Sequence, residues 1–182
     1  MTTTLVLSVI GDDRAGLVKA LADVIETGGG NWERSHLSEL AGKFAGIVVV
    51  TVPGERADGL RAALEPLHGL LDVAVHDATV AEDLVESGQE VRVELLGNDR
   101  PGIVGAVSGV LAQHGLSVAE LVSTTSDAPM AGGRLFEAIA VATVPAGTDL
   151  DALQGDLDDD AERAQPGDGA RSPVAGDPHP QQ

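Results

Sequence analysis

The amino-acid sequence predicts an α+β protein of two ferredoxin-like βαββαβ units, each an antiparallel sheet with both helices on one face. Three observations carry this: an internal repeat, the apolar periodicity within each copy, and a composition that allows only an aliphatic core. The first repeat block, Val9-Ile-Gly-Asp-Asp-Arg-Ala-Gly-Leu-Val18, returns as Leu95-Leu-Gly-Asn-Asp-Arg-Pro-Gly-Ile-Val104. Carried through Gly29 and Gly115, the offset stays at 86 and eight of 21 positions are identical. A second block, Phe44–Pro53 against Phe136–Pro145, is offset by 92 with six of ten positions identical. Two collinear blocks of this kind mark a tandem duplication. The second copy holds six extra residues between them.

Each copy opens on a strand, Thr4–Ile10 or Glu90–Leu96, rich in Val and Leu. A Gly-Asp/Asn-Asp-Arg turn leads into a helix, with Leu17, Val18, Leu21, Val24 and Ile25 at helical spacing in the first copy and Ile103, Val104, Val107, Val110 and Leu111 in the second. Asp13 and Asp99 are expected as N-caps, with Pro101 in the first helical turn. Gly28–Gly30 and Gly115 are expected to end these helices. A second strand follows (about 31–40; 116–125), then a third (44–52; 136–144) stopped by Pro. Leu60, Ala63, Leu64 and Leu67 form a second helix and 71–80 a fourth strand. Right-handed crossovers then place both helices on one face of the sheet.

The second copy does not finish this pattern. Leu150, Leu153 and Leu157 begin its second helix, but no strand is readable beyond them. From residue 149 onward there are nine acidic and two basic residues, and the last 17 positions hold four Pro and three Gly. Such a segment is disordered by composition. The expected organisation is therefore a first domain over 1–82, a linker over 83–89, an incomplete second domain over 90–161 and an acidic Pro/Gly-rich tail over 162–182. Without its fourth strand the second unit leaves an unprotected sheet edge. A natural truncation, a frameshift near Asp158 and a true tail with a partner over the edge all fit.

Of the 182 residues, 11 are Lys or Arg and 29 Asp or Glu, giving a formal net charge of −18. That balance argues against direct nucleic-acid binding, which needs a basic face, and against anionic membrane surfaces. With aromatics at 2 %, base stacking is excluded and the core must be Val, Leu, Ile and Ala. The absence of Cys removes disulfides, thiolate metal sites and cysteine nucleophiles. The apolar start is cut at Gly11-Asp12-Asp13, too early for a signal peptide or a membrane span, so a soluble cytoplasmic protein is expected. The histidines lack His-x-x-x-His spacing, and Asp158–Asp160 lacks a calcium-loop pattern. No metal and no cofactor are expected.

The repeated turn is where chemistry could live. Asp12, Asp13, Arg14, Ala15, Gly16 and Leu17 in the first copy match Asn98, Asp99, Arg100, Pro101, Gly102 and Ile103 in the second. A strand feeding a helix N-terminus through a Gly-bounded loop offers N–H groups, roughly those of 14–17 and 100–103, to a carboxylate. Asp12, or Asn98, could accept from an ammonium. An amino acid carries both groups. The alternative is purely architectural, with Asp as a cap and Gly allowing close packing.

The Gly-x-Asp-Arg-x-Gly-[Leu/Ile]-Val turn within a βαββαβ order resembles the ACT domain, a small regulatory module that binds amino acids. The tandem pair, together with Ala128-Pro-Met-Ala-Gly-Gly-Arg-Leu-Phe136, resembles the glycine cleavage system transcriptional repressor family. That resemblance implies side-by-side association, within the chain or in a homo-oligomer, with ligand at the seam between one unit's turn and the start of a neighbour's second strand. It adds Asn31 and, more weakly, Ser117 to the candidate site. It also implies a non-enzymatic protein that senses a small amino acid, glycine or serine, and acts through another regulatory protein. Two alternatives stand beside it: a ligand-free assembly module, and a small hydrolase using Arg14 or Arg100 on the same fold. The loop 127–133 could close over a ligand, touch a partner, or simply connect.

Overall fold

The structure, a computed structural model, describes residues 1–67, 69–78, 89–127, 133–163 and 174–175. The chain divides into two compact units, Met1–Val80 and Ala81–Gln182.

Unit 1 runs β1 (Thr2–Asp12), α1 (Leu17–Thr27), β2 (Asn31–Leu40), β3 (Lys43–Pro53), α2 (Ala57–Leu64) and β4 (Asp72–Asp77), with short 3-10 turns on either side of α2. Its sheet has the order β2-β3-β1-β4, all antiparallel. This is the expected split βαβ unit. Unit 2 repeats it with β5 (Gln89–Asn98), α3 (Ile103–Gln113), β6 (Ser117–Asp127), β7 (Arg134–Val144) and α4 (Leu150–Arg163), in the order β6-β7-β5-β8. Here β8 is only Val174–Ala175, paired with Arg92 and Val93. Among the described residues a full-length fourth strand is therefore missing, as expected. This two-residue strand lies inside the segment expected to be unstructured, and the rest of that tail beyond Arg163 is outside the described residues, as is the linker up to residue 88.

The helix starts differ from expectation. Neither Asp13 nor Asp99 caps a helix. The caps are Gly16 (φ 95°) and Gly102 (φ 88°), in the left-handed conformation and without a side-chain hydrogen bond. A tight turn at Ala15-Gly16 and Pro101-Gly102 needs positive φ at its second residue, which glycine adopts without strain. Each helix therefore begins later, and Pro101 lies just ahead of it rather than in its first turn.

The helix ends follow the Gly signals. Gly29 (φ 77°) donates to the Glu26 carbonyl at 2.9 Å and Gly30 to the Ile25 carbonyl at 2.8 Å. Gly115 (φ 73°) and Leu116 make the same pair of bonds to Ala112 and Leu111. This is the Schellman motif, present in both copies. The cap of α4 is Asp149, whose Oδ1 accepts from the N–H groups of Asp151 and Ala152 at 3.0 Å. Such a cap is worth about 1 kcal/mol.

Each core lies between the helices and one sheet face. In unit 1, Leu5, Leu7, Val48 and Val50 meet Leu21, Ile25, Leu60 and Leu64, and β4 adds Val73 and Val75. Unit 2 is built from smaller side chains: Val107 stands where Leu21 stands, Ala140 for Val48 and Ala142 for Val50. A small apolar cavity of about 20 Å³ remains between α3 and β7, bordered by Val107, Leu111, Phe136 and Ala138.

The edge strands β2 and β6 carry a bulge at matching positions, between Trp32 and Arg34 and between Val118 and Glu120. The six extra residues of the second copy lengthen the β6–β7 hairpin. Unit 1 closes this hairpin at Ala41-Gly42, both at positive φ, whereas in unit 2 Asp127 and Arg134 are the last pair and residues 128–132 lie outside the described set.

Candidate functional site

In both units the turn after the first strand is tied to the hairpin beside it. The Asp13 N–H donates to the Gly42 carbonyl at 2.9 Å, and the Asp99 N–H donates to the Arg134 carbonyl at 2.8 Å. These bonds fix the turn before the αL glycine swings the chain into α1 or α3. The uncapped N–H groups are those of Leu17–Lys19 and Ile103–Gly105, two to three residues further on than the sequence suggests. They carry the positive end of each helix dipole without a side chain to satisfy it.

The side chains around the two turns differ. In unit 1, Asp12 accepts a hydrogen bond from Lys43 Nζ, its register partner on β3. That bond, then the Lys43 charge and more weakly Arg14, hold the Asp12 carboxyl below its ordinary value. The carboxylate expected to receive a ligand ammonium is thus already engaged by an ammonium of its own sheet. Arg14 donates through Nη2 to the Gly69 carbonyl at 3.1 Å, across the turn ahead of β4. In unit 2 the pair becomes Asn98 and Leu135. Arg134 donates instead to Thr125 and lies 3.9 Å from Asp99. Lys43 and Arg134 were not legible as site neighbours, because neither belongs to the turn motif and only strand register brings them there.

Lys43→Met is expected to return Asp12 to ordinary carboxylate behaviour. Because the folded-state value is depressed, the pair stabilises the fold above the unfolded value, and that contribution is lost as pH falls through the folded one. Carboxyl titration of wild type and variant by NMR checks it. Equal Asp12 titration curves would refute the pairing.

At the start of β2, Glu33 Oε1 accepts from Asn31 Nδ2 at 2.8 Å and from Thr51 Oγ1 at 2.6 Å. The two bonds, Thr51 foremost, lower the Glu33 carboxyl below its ordinary value. Asn31 is thereby held in place on an exposed edge. In unit 2 the matching residues are Ser117, Ala119 and Thr143, without a carboxylate.

The structure does not bring the turn and the start of the second strand together within a unit. Asn31 pairs with Thr51, near the Thr4 end of β1, while Asp12 pairs with Lys43 at the other end. Eight residues of strand separate these levels, about 26 Å at ~3.3 Å per residue. Ser117 and Asn98 are separated in the same way, Ser117 being level with Glu90. A site using both groups cannot be formed within one unit.

Among the described residues, no group of three or more His, Asp or Glu could hold a metal ion, and no helix is long and apolar enough to cross a membrane. Beyond the site, His114 Nε2 lies 2.8 Å from Asp156 Oδ2, joining α3 to α4.

Two split βαβ units in tandem, each with a glycine-led helix entry and an exposed edge strand, define a tandem ferredoxin-like protein. The ACT domain family matches residues 3–76 and again 91–157, and the chain belongs to that family, with two ACT domains in tandem. No curated protein sequence matches it. Among solved structures it is similar to a protein of unknown function from Galdieria sulphuraria, with 27% identity and a TM-score of 0.81 over 96% of this chain and 97% of that one. It is also similar to a candidate glycine cleavage system transcriptional repressor, with 18% identity and a TM-score of 0.69 over 97% and 99% of the two chains. At that identity the second likeness speaks for the fold.

Proposed function

We propose that this protein is a non-enzymatic regulator that binds a small amino acid, glycine or serine, where a turn of one ACT unit meets the start of β2 or β6 of a neighbour. The carrying observation is the pair of uncapped helix N-termini behind Gly16 and Gly102, each pinned to its hairpin by one backbone bond. They suit a carboxylate. The ammonium is then left to the edge strand, where Asn31 and Glu33 supply oxygen acceptors and Ser117 supplies a hydroxyl. The edge with Asn31 and Glu33 is the better equipped of the two, since the matching Ser117 and Ala119 bring no carboxylate.

The binding residues on this reading come from Asp12–Leu17, Asn98–Ile103, Asn31 and Ser117. The signal passes by contact with another regulatory protein, in keeping with the likeness to a candidate transcriptional repressor and with an acidic chain that does not suit DNA. Transcriptional control of amino-acid metabolism and work in the cytoplasm follow from the same reading.

Thermal unfolding against a panel of amino acids tests it. A ligand at a hundred times its Kd adds about 2.7 kcal/mol to the folded state. The expected result is a clear rise in Tm with glycine or serine, lost in Asn31→Ala and reduced in Asp12→Ala. A flat panel at millimolar concentrations would refute amino-acid sensing and favour the ligand-free assembly module.

A further inference from the structure

The two copies part at the edge beside their first strand. In unit 1, β4 lays Asp72–Asp77 along Leu5–Ile10 of β1. Leu7 and Val9 are buried under the helices, and their partners Val75 and Val73 pack against the same core. The duplication carries Leu7 to Val93 and Val9 to Leu95. Val93 is as buried as its counterpart, whereas Leu95 is only partly buried. Among the described residues, nothing pairs with Glu94–Asn98 on this side of β5.

What the tail brings to this edge is specific. Val174 pairs with Val93 and Ala175 with Arg92. The offset of 86 carries Leu7 to Val93 and Val6 to Arg92, so the pair stands in the places of Val75 and His76 on β4. Val174 is also the single Leu, Ile, Val, Met or aromatic residue after Leu157. It falls at a register position on the helix side of the sheet, opposite a core valine. A slip of one residue would move it to the other face. The flanks account for the shortness of β8. A third pair would set Pro173 against Glu94, and proline, with no N–H, is confined to strand starts and edges. Gly176-Asp177-Pro178 stops the strand on its other side.

A strand of two residues would not hold as a free peptide. Tethered to α4 through residues 164–173, it is kept near β5 at an effective concentration of about millimolar. We propose that the tail is the edge guard of unit 2: Val174 and Ala175 clip onto β5 of their own chain, in the place of β4, and withhold that edge from the strands of a second copy. The clip uses none of the residues of the ligand reading and stands apart from it.

Hydrogen exchange of the full chain, read by mass spectrometry across Arg92 and Val93, tests the proposal. In the wild type this exchange is expected to be slow and independent of chain concentration. Val174→Ser, which removes the aliphatic side chain without changing charge, should speed it roughly fivefold or more. The same change at Gln181 should leave it unaltered. Truncation after Arg163 should speed it as much and also produce association that grows with chain concentration, seen by light scattering. Circular dichroism verifies that the fold is kept; where the truncated chain unfolds, Val174→Ser gives both readings, with weaker association. Exchange that neither change alters would overturn the clip. Protection that rises with chain concentration would place a second copy's tail on the edge instead, and folded variants that stay monomeric would remove the guarding role.

Discussion

Leu153→Ala is expected to unfold the second unit while leaving the first intact. Helix α4 reaches its core through Leu153 and Leu157, which are 0% and 3% exposed, with Leu150 partly buried beside them. The remaining face of this helix is largely acidic. Truncating a fully buried leucine costs about 2–5 kcal/mol, against ~5–15 kcal/mol for a whole domain. Unit 2 is expected at the low end of that range for two reasons. Val107, Ala140 and Ala142 bury less than their counterparts in unit 1, and β8 pairs with only two residues of β5, whereas β4 pairs with six of β1. Calorimetry should show two transitions in the wild type, the lower from unit 2, and the lower one should vanish in Leu153→Ala. One unaltered transition would show that α4 is not the anchor of that core.

Gly46→Ala is expected to be the most damaging single-methyl change in unit 1. A Cβ there would stand 2.0 Å from the His36 carbonyl oxygen and 2.8 Å from the Leu37 Cα. Both are backbone atoms of the neighbouring strand and cannot rotate away, so β2 and β3 must separate. The cost should reach about 3 kcal/mol, the upper end for overpacking. Unit 2 carries Ala138 at the matching position, 4% exposed, with Ser123 in place of Leu37 across from it. The reverse change, Ala138→Gly, should cost only ~0.5–1 kcal/mol. Denaturant unfolding of the two variants gives the comparison, and equal losses would refute the backbone-clash account.

The duplication made most of the fold legible. Leu17, Leu21 and Ile25 recur every four residues, and the strand blocks repeat at fixed offsets, so strand order and helix faces could be read directly. The start of α1 could not. Asp13 has the chemistry of a cap, but Gly16 permits a backbone conformation that moves the helix entry, and φ preference outweighed side-chain preference. The candidate site was half legible. Its turn is a contiguous motif, whereas the Lys43 clamp on Asp12 and the Thr51 and Asn31 bonds to Glu33 join residues on different strands or across a bulge. Register decides such contacts, and register is a property of the folded sheet.

The bulge shared by β2 and β6 bears on how many chains can join. A straight, exposed edge offers its hydrogen-bonding groups to any strand that arrives, and such edges propagate into fibres. Here Glu33 and Ala119 are skipped by the ladder, which breaks the edge into a short piece and a long one. A neighbour can then bond only in alignments that keep both pieces in step. That edge is thereby protected against runaway growth.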